Sequence, residues 1–66
     1  MKIYINGEIK IFENKLTALS LIKLLGYEGK KIALEINQAI IPRSSYENKI
    51  IVEGDSIEII NAVGGG

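Results

Sequence analysis

The residues of this sequence that could take part in chemistry are the last three, Gly64-Gly65-Gly66. A carboxylate on Gly66 would be ionised near neutral pH, and without a Cβ beside it that group could enter a channel too narrow for a larger residue. Successive glycines lose more freedom on ordering than other residues, so we expect residues 63–66 to form a flexible tail. Gly64 and Gly65 would give reach, and Gly66 would carry the reacting group.

The composition offers the rest of the chain little catalytic equipment. The 66 residues include no histidine and no cysteine, which removes the usual general base, the commonest metal ligand and any thiolate nucleophile. The glycines that hold a nucleotide's phosphates open a helix, whereas these follow the last predicted strand. We therefore predict that the chain is not an enzyme and binds no metal or cofactor itself.

The charge balance and hydropathy argue against two classes of partner. Eight basic and eight acidic side chains cancel, so no broad field favours a nucleic acid or an anionic membrane. No apolar run approaches the roughly 20 residues of a membrane-spanning helix, and the first residues do not resemble a signal peptide. We expect a cytoplasmic protein.

The first twelve residues predict a β-hairpin. Residues 2–5 and 8–12 alternate isoleucine with other side chains, and Asn6-Gly7 between them is typical of a two-residue turn in which both residues have positive φ. We expect four isoleucines to point into the core: Ile3, Ile5, Ile9 and Ile11.

A short helix and three further strands follow. Thr17 is a candidate N-cap, and Gly26 fits the position after a helix end. Apolar residues at helical spacing between them form one stripe, made of Ala18, Leu21, Ile22 and Leu25. The later strands are predicted over residues 32–36, 40–41 and 56–61, with residues 43–49 as a loop that contains a turn of helix. Inward side chains are predicted at Ile32, Leu34, Ile36, Ile57 and Ile59.

The order of two strands, a helix and three strands predicts a two-layer α+β domain over residues 1–62, because one apolar stripe and one inward sheet face need each other. With a diglycine after the last strand, this order resembles the ubiquitin-like β-grasp fold. The resemblance implies a mixed five-stranded sheet whose final strand lies centrally beside the first, with the helix packed on one face.

Within that superfamily the sequence resembles the ThiS family, the small sulfur carriers of thiamine biosynthesis. The resemblance covers the whole chain and depends on the order and spacing of several short motifs. These are Asn6-Gly7, residues 33–37 (Ala-Leu-Glu-Ile-Asn), residues 41–43 (Ile-Pro-Arg), residues 54–57 (Gly-Asp-Ser-Ile) and residues 62–66 (Ala-Val-Gly-Gly-Gly).

This resemblance implies a carrier that acts as a co-substrate of other proteins. A ThiF-like, E1-like adenylating enzyme would use ATP to activate the Gly66 carboxylate. A persulfide donor would then supply sulfur to give a thiocarboxylate, and a ThiG-like thiazole synthase would take that sulfur into the thiazole ring.

A carrier must dock on its partners, and the sheet face away from the helix is the predicted contact surface. Apolar residues expected there are Tyr4, Phe12, Ala33, Ile60 and Ala62. We predict a docking patch centred on Tyr4 and Ile60 beside the tail. Arg43 could pair with a partner carboxylate. Three acids near the last strand could steer a basic partner surface: Glu53, Asp55 and Glu58.

Three other functions stay open at this point. A sulfur carrier for molybdopterin synthesis would use the same tail with a different acceptor. A β-grasp interaction or RNA-binding module would depend on Lys30, Lys31 and Arg43 instead of the tail, although neutral net charge disfavours it. A ubiquitin-like modifier would begin with the same adenylate.

Overall fold

The computed structural model describes residues 1–61, and these form a mixed β-sheet with one α-helix across it. The elements in chain order are β1 (Lys2–Ile5), β2 (Glu8–Ile11), β3 (Leu16–Thr17), α1 (Ala18–Leu24), β4 (Ile32–Ile36), β5 (Ala39–Ile41), a 3₁₀ turn (Arg43–Ser45), β6 (Ile50–Ile51) and β7 (Ser56–Asn61).

The main sheet has the strand order β2-β1-β7-β4-β5. β1 and β7 are parallel, whereas β1–β2, β4–β5 and β4–β7 are antiparallel. The final strand therefore lies at the centre beside the first, which confirms the predicted β-grasp arrangement. β3 and β6 form a separate two-stranded pair, which the sequence reading did not predict.

Helix α1 begins and ends at the residues that its sequence indicated. The Thr17 hydroxyl accepts a hydrogen bond from the Ser20 amide at 3.1 Å, as expected of an N-cap. Gly26 follows the helix with φ +82°, a left-handed conformation that favours glycine. Ala18, Leu21 and Ile22 are buried against the sheet, and Leu25 is partly buried and packs on the same core.

The segment between β5 and β7 ties the helix to the sheet. The carbonyl oxygens of Tyr46 and Lys49 accept hydrogen bonds from the Leu19 and Ala18 amides at 2.9 and 2.8 Å. Those amides lie in the first turn, where no carbonyl of the helix itself can pair with them. Tyr46 is also buried in the core, so this predicted loop is a structural part of the fold.

The core lies between the sheet and the helix. The largest fully buried side chains are Ile3, Leu21, Leu34, Ile51 and Ile57. Burying a side chain of this size stabilises the folded state by about 1.5–3 kcal/mol. Because a chain this short buries only about 60% of its unfolded surface, few of these contacts can be lost without unfolding.

The predicted inward orientation of Ile9 and Ile11 is wrong. Ile3 and Ile5 are buried, but Ile9 and Ile11 are 57% and 75% exposed. The Asn6-Gly7 turn pairs Ile5 with Glu8 and Ile3 with Lys10, and directly opposite residues share one face of a sheet. The two isoleucines of β2 therefore lie on the other face, with Lys2 and Tyr4.

Candidate functional site

Asn61, the last described residue, ends β7, and the predicted tail follows it in the sequence. Asn61 lies opposite Ile32 at the start of β4, and Ile60 lies opposite Ala33. Lys30 and Lys31 come directly before Ile32 and are exposed, so they lie at the same end of the sheet. The tail residues Gly64, Gly65 and Gly66, the predicted contact Ala62 and the predicted boundary between 62 and 63 lie outside the described residues.

The other side of this strand end is held by Asn6, a residue that the sequence reading used only as a turn residue. Its side-chain oxygen accepts a hydrogen bond from the Ile59 amide at 2.9 Å, and its side-chain nitrogen donates to the Ile59 carbonyl at 3.4 Å. Asn6 has φ +49°, which an Asn-Gly turn requires at its first position. The turn therefore fixes the position of the Asn6 side chain, which binds the Ile59 main chain of β7.

The sheet face away from α1, called the open face below, carries several large apolar side chains. On it Ile9 of β2, Ile40 of β5 and Ile60 of β7 are 57%, 72% and 48% exposed, and Tyr4 of β1 is partly exposed. Contiguous apolar surface that a monomer leaves in water often marks a binding surface.

Tyr4 and Ile60 share the open face without being neighbours. Tyr4 lies opposite Ser56, four residues before Ile60, which at about 3.3 Å per residue separates them by about 13 Å along the strand. Tyr4 has Ile9 directly beside it, and Ile60 has Ala33. The open face therefore carries two apolar groups, one at the hairpin edge and one beside the tail.

Phe12 does not belong to the open face. It is partly buried and packs against the core. The reason is the same as for Ile9 and Ile11. A two-residue turn places the even-numbered residues that follow it on the same face as the odd-numbered residues of β1, which is the core face.

Two acidic side chains lie directly opposite each other between the apolar groups. Glu35 of β4 pairs in register with Glu58 of β7, and among residues 1–61 neither forms a salt bridge. Like charges in such a pair are destabilising. Glu53 and Glu58 are exposed, and Glu53 accepts a hydrogen bond from the Lys2 amide at 2.8 Å.

Asp55 is not available to steer a partner, contrary to the prediction. It is only 6% exposed. Its carboxylate accepts hydrogen bonds from the Val52 amide and from the Asn37 side chain, both at 2.9 Å. The carboxylate therefore holds the turn before β7 against the end of β4.

Arg43 lies on the helix side of the molecule, away from the open face. With Lys30, Ile32 and Tyr46 it lines a shallow pocket of about 130 Å³. Ile32 connects this pocket to the tail end of the sheet, because it pairs with Asn61. Arg43 is thus placed near the end of the sheet where Ile32 pairs with Asn61, and apart from Tyr4.

Two negative findings apply to the described part of the chain. Within residues 1–61 no group of three or more acidic, cysteine or histidine side chains is close enough to hold a metal ion. The helix found there, with 7 residues, is too short to cross a membrane.

Comparison with known proteins gives a family match over nearly the whole chain. The model of the ThiS family matches residues 3–66, a span that includes the three terminal glycines. A thiazole synthase from Paramagnetospirillum magneticum is 41% identical over all 66 residues, and one from Magnetococcus marinus is 38% identical. This chain spans about a fifth of the length of those two relatives, since it covers 20% of each.

A relative of similar length and two solved structures add to this. The uncharacterized protein ycf40 of Porphyra purpurea is 35% identical over 66 residues, which are 93% of its length. The crystal structure of thiamine biosynthesis protein ThiS from Geobacter metallireducens superposes with a TM-score of 0.86, covers all of both chains and shares 22% identity. An NMR solution structure of a thiamine biosynthesis protein from the same organism also superposes, with a TM-score of 0.81 and 22% identity. The alignment includes all of this chain and 88% of the chain in the NMR structure. At this identity the two structures show a common fold.

Proposed function

The chain belongs to the ThiS family, and from that membership we propose that it is a sulfur carrier in thiamine biosynthesis. The observation that carries the proposal is that the family match extends through Gly64, Gly65 and Gly66. A likeness confined to the body would support only a β-grasp domain. A match that includes the terminal glycines supports the family's use of them.

The proposed chemistry takes place at the Gly66 carboxylate. A ThiF-like adenylating enzyme joins a carboxylate oxygen to the α-phosphorus of ATP and releases pyrophosphate. The acyl adenylate is a much better acyl donor than a carboxylate, because AMP is a good leaving group. The outer sulfur of a cysteine-derived persulfide then displaces AMP and forms an acyl disulfide with the chain. A second thiol attacks the donor's cysteine sulfur in that disulfide, which releases the C-terminal thiocarboxylate and leaves a disulfide between the donor cysteine and the second thiol.

A ThiG-like thiazole synthase is the proposed acceptor of the sulfur. Two relatives named thiazole synthase contain a segment that is 41% and 38% identical to this whole chain. A domain that is joined covalently to another protein in some organisms is a good candidate for a physical partner of that protein elsewhere. This supports a carrier that passes its sulfur to the synthase.

The body of the chain has a docking role in this proposal. We propose that the open face contacts the adenylating enzyme through Tyr4 and Ile60, with Ala62 continuing the surface toward the tail. Arg43 would contact an acidic partner group from the helix side. A basic partner side chain would fit between the two apolar groups, where Glu35 and Glu58 face each other.

Exchange of labelled pyrophosphate into ATP by the cognate adenylating enzyme tests the first step. The wild-type chain should support exchange, whereas a variant without Gly66 should not. Gly66→Ala should be strongly impaired, because its Cβ needs room that a glycine-specific channel lacks. Wild-type exchange by the chain without Gly66 would overturn the proposal. An effect of Lys30→Ala, Lys31→Ala and Arg43→Ala instead would favour an interaction or RNA-binding module.

The acceptor is tested separately with the thiocarboxylate form of the chain. Sulfur should move to the thiazole product when thiazole synthase and its small-molecule substrates are present. If the thiocarboxylate forms but the synthase leaves it intact, the chain is a sulfur carrier for another acceptor, such as a molybdopterin-type synthase. Transfer of the chain to protein lysines would indicate a modifier.

Ile60→Asp tests the docking surface, with Leu24→Asp as its matched control. Leu24 is 64% exposed on α1, so both variants put a charge on an exposed apolar position on opposite sides of the molecule. Ile60→Asp should raise the KM of the adenylating enzyme for the carrier about tenfold, which corresponds to about 1.4 kcal/mol. Equal KM values for the two variants would show that the open face is not the docking surface.

A further inference from the structure

Strand β7 carries the reacting tail, and its hydrogen bonds on the β1 side end at one side chain. The main-chain pairing between the two strands runs from the Tyr4 amide to the Asp55 carbonyl at 2.9 Å and from the Asn6 amide to the Ile57 carbonyl at 2.8 Å. After Asn6 the chain turns away into Gly7. The next main-chain groups of β7 that face this side belong to Ile59.

Without the Asn6 side chain, the Ile59 main chain would lack partners in the sheet. Ile59 is 6% exposed, and a buried amide or carbonyl without a hydrogen bond is costly. The Asn6 carboxamide supplies both an acceptor and a donor, at 2.9 Å and 3.4 Å. It therefore extends the parallel pairing by one step and holds β7 two residues before Asn61.

A second asparagine makes a comparable contact at the opposite end of β7. Asn37 also has a left-handed backbone, with φ +53°. Its side-chain oxygen accepts a hydrogen bond from the Ser56 amide at 3.0 Å, and its side-chain nitrogen donates to Asp55. The two asparagines thus hold the two ends of one strand, and only Asn6 acts at the end from which the tail departs.

We propose that Asn6 is a positioning residue for the carrier reaction. By fixing the Ile59 main chain on the β1 side, its side chain holds the last residues of β7, Ile60 and Asn61, in the sheet, so that a docked carrier presents its C-terminus to the partner's active site in one orientation. The proposal rests on the proposed carrier function. Asn6 contacts no reacting atom and acts through β7.

A change at Asn6 should alter how the carrier presents its C-terminus and should not alter how tightly the carrier docks. The open face still binds the partner when Asn6 is changed, because Asn6 only holds the main chain at the end of the sheet. A smaller fraction of docked carriers then has the C-terminus correctly placed. A change of this kind lowers kcat and leaves KM nearly unaltered.

The test compares Asn6→Gly with Asn37→Gly in the full chain. Glycine accepts positive φ at both positions, so each variant keeps its turn and loses the two hydrogen bonds of one side chain. Three quantities are measured for each: stability in urea, amide hydrogen exchange at residues 59–61, and pyrophosphate exchange kinetics at a temperature where both variants are folded. Asn6→Asp serves as the conservative variant, because its carboxylate can still accept from the Ile59 amide but cannot donate to the carbonyl.

We expect Asn6→Gly to lower kcat about fivefold, with KM within twofold of wild type, and to speed amide exchange at Ile59, whose amide loses its acceptor. Asn37→Gly should lose stability to a similar extent with wild-type kcat, and Asn6→Asp should lie between. Equal kcat values for the two glycine variants, or unchanged exchange at residues 59–61 in Asn6→Gly, would overturn the proposal. If the wild-type chain supports no pyrophosphate exchange, the proposed carrier function fails, and the amide exchange still decides whether Asn6 orders the strand end.

Discussion

The two faces of the main sheet are built from the same strands and differ in what covers them. On the face under α1, Ile3, Leu34 and Ile57 are completely buried. On the open face, Ile9 and Ile60 remain about half exposed, although Ile60 directly follows the buried Ile59 in the sequence. The covered face holds the fold together, and the open face keeps apolar area that folding does not use.

This difference indicates which positions of the sheet can be substituted without unfolding the domain. Apolar area that is already buried stabilises the fold by about 25 cal/mol per Å², whereas exposed isoleucines add almost nothing. Isoleucine on a solvent-facing strand also favours contacts between chains. We infer that the apolar residues of the open face serve docking and that those of the covered face serve stability.

The largest expected effect is at Ile57. Ile57→Ala should lower the free energy of unfolding by about 3–4 kcal/mol, because it removes a fully buried side chain and leaves a cavity. Ile60→Ala, the matched change on the open face of the same strand, should cost less than about 1 kcal/mol. Urea unfolding followed by circular dichroism measures both. Since Ile57→Ala could unfold so small a domain, Ile57→Val, expected to cost about 1 kcal/mol, provides a folded variant. Similar losses for Ile57→Val and Ile60→Val would contradict this inference about the two faces.

The next effect concerns the one buried charged residue among residues 1–61, Asp55. Asp55→Ala should cost about 2 kcal/mol, because it leaves the Val52 amide and the Asn37 side chain without their acceptor. Asp55→Asn keeps one acceptor oxygen and should cost about half as much. Thermal and urea unfolding of the two variants would show the order. A loss for Asp55→Ala no greater than that for an exposed acid such as Glu53→Ala would show that the carboxylate does not brace this turn.

The smallest effect has the opposite sign. Glu58→Gln should raise the free energy of unfolding by a few tenths of a kcal/mol, since it removes a like-charge pair with Glu35 on the open face. Glu13→Gln changes the net charge equally at an exposed loop position and serves as the control. The gain should shrink at high salt, where exposed charges are screened. A loss of stability in Glu58→Gln at low salt would mean that the pair is not repulsive.

The architecture could be predicted from the sequence because local signals and long-range burial agree. Alternation along residues 56–61 correctly separates Ile57 and Ile59 from Glu58 and Ile60, and Thr17 and Gly26 mark the ends of the helix. The ladder between β1 and β7 joins residues 52 apart. That pairing came from the resemblance to a known fold, since no local pattern specifies it.

The errors arose where a local pattern was carried across a turn. Alternation along β2 predicts that Ile9 and Ile11 face the core, but across a two-residue turn the odd-numbered residues of β2 share a face with the even-numbered residues of β1. The sequence contained enough information to avoid this error. Asp55 is different, because its burial depends on Asn37, a contact 18 residues away that no local pattern reveals. The same holds for the Asn6 contact with Ile59, which spans 53 residues.

The site could be predicted only in part. The reacting end follows from Gly64, Gly65 and Gly66 in the sequence, and the family match supports it. The proposed docking surface could be located only from the register of four strands. That register sets the distance between Tyr4 and Ile60 and places Ile9 beside Tyr4. The position of Arg43 required the fold as well, because only the pocket that it lines with Ile32 brings it to the Asn61 end of the sheet.

The most direct test of the central claim is the intact mass of the chain after incubation with its adenylating enzyme, ATP, a persulfide sulfur source and a thiol reductant. We predict a mass gain equal to the replacement of one oxygen by one sulfur. Fragmentation should locate the gain at Gly66, and a chain that lacks Gly66 should show no gain. No gain with an enzyme that demonstrably adenylates the chain, or a gain located elsewhere, would contradict the claim.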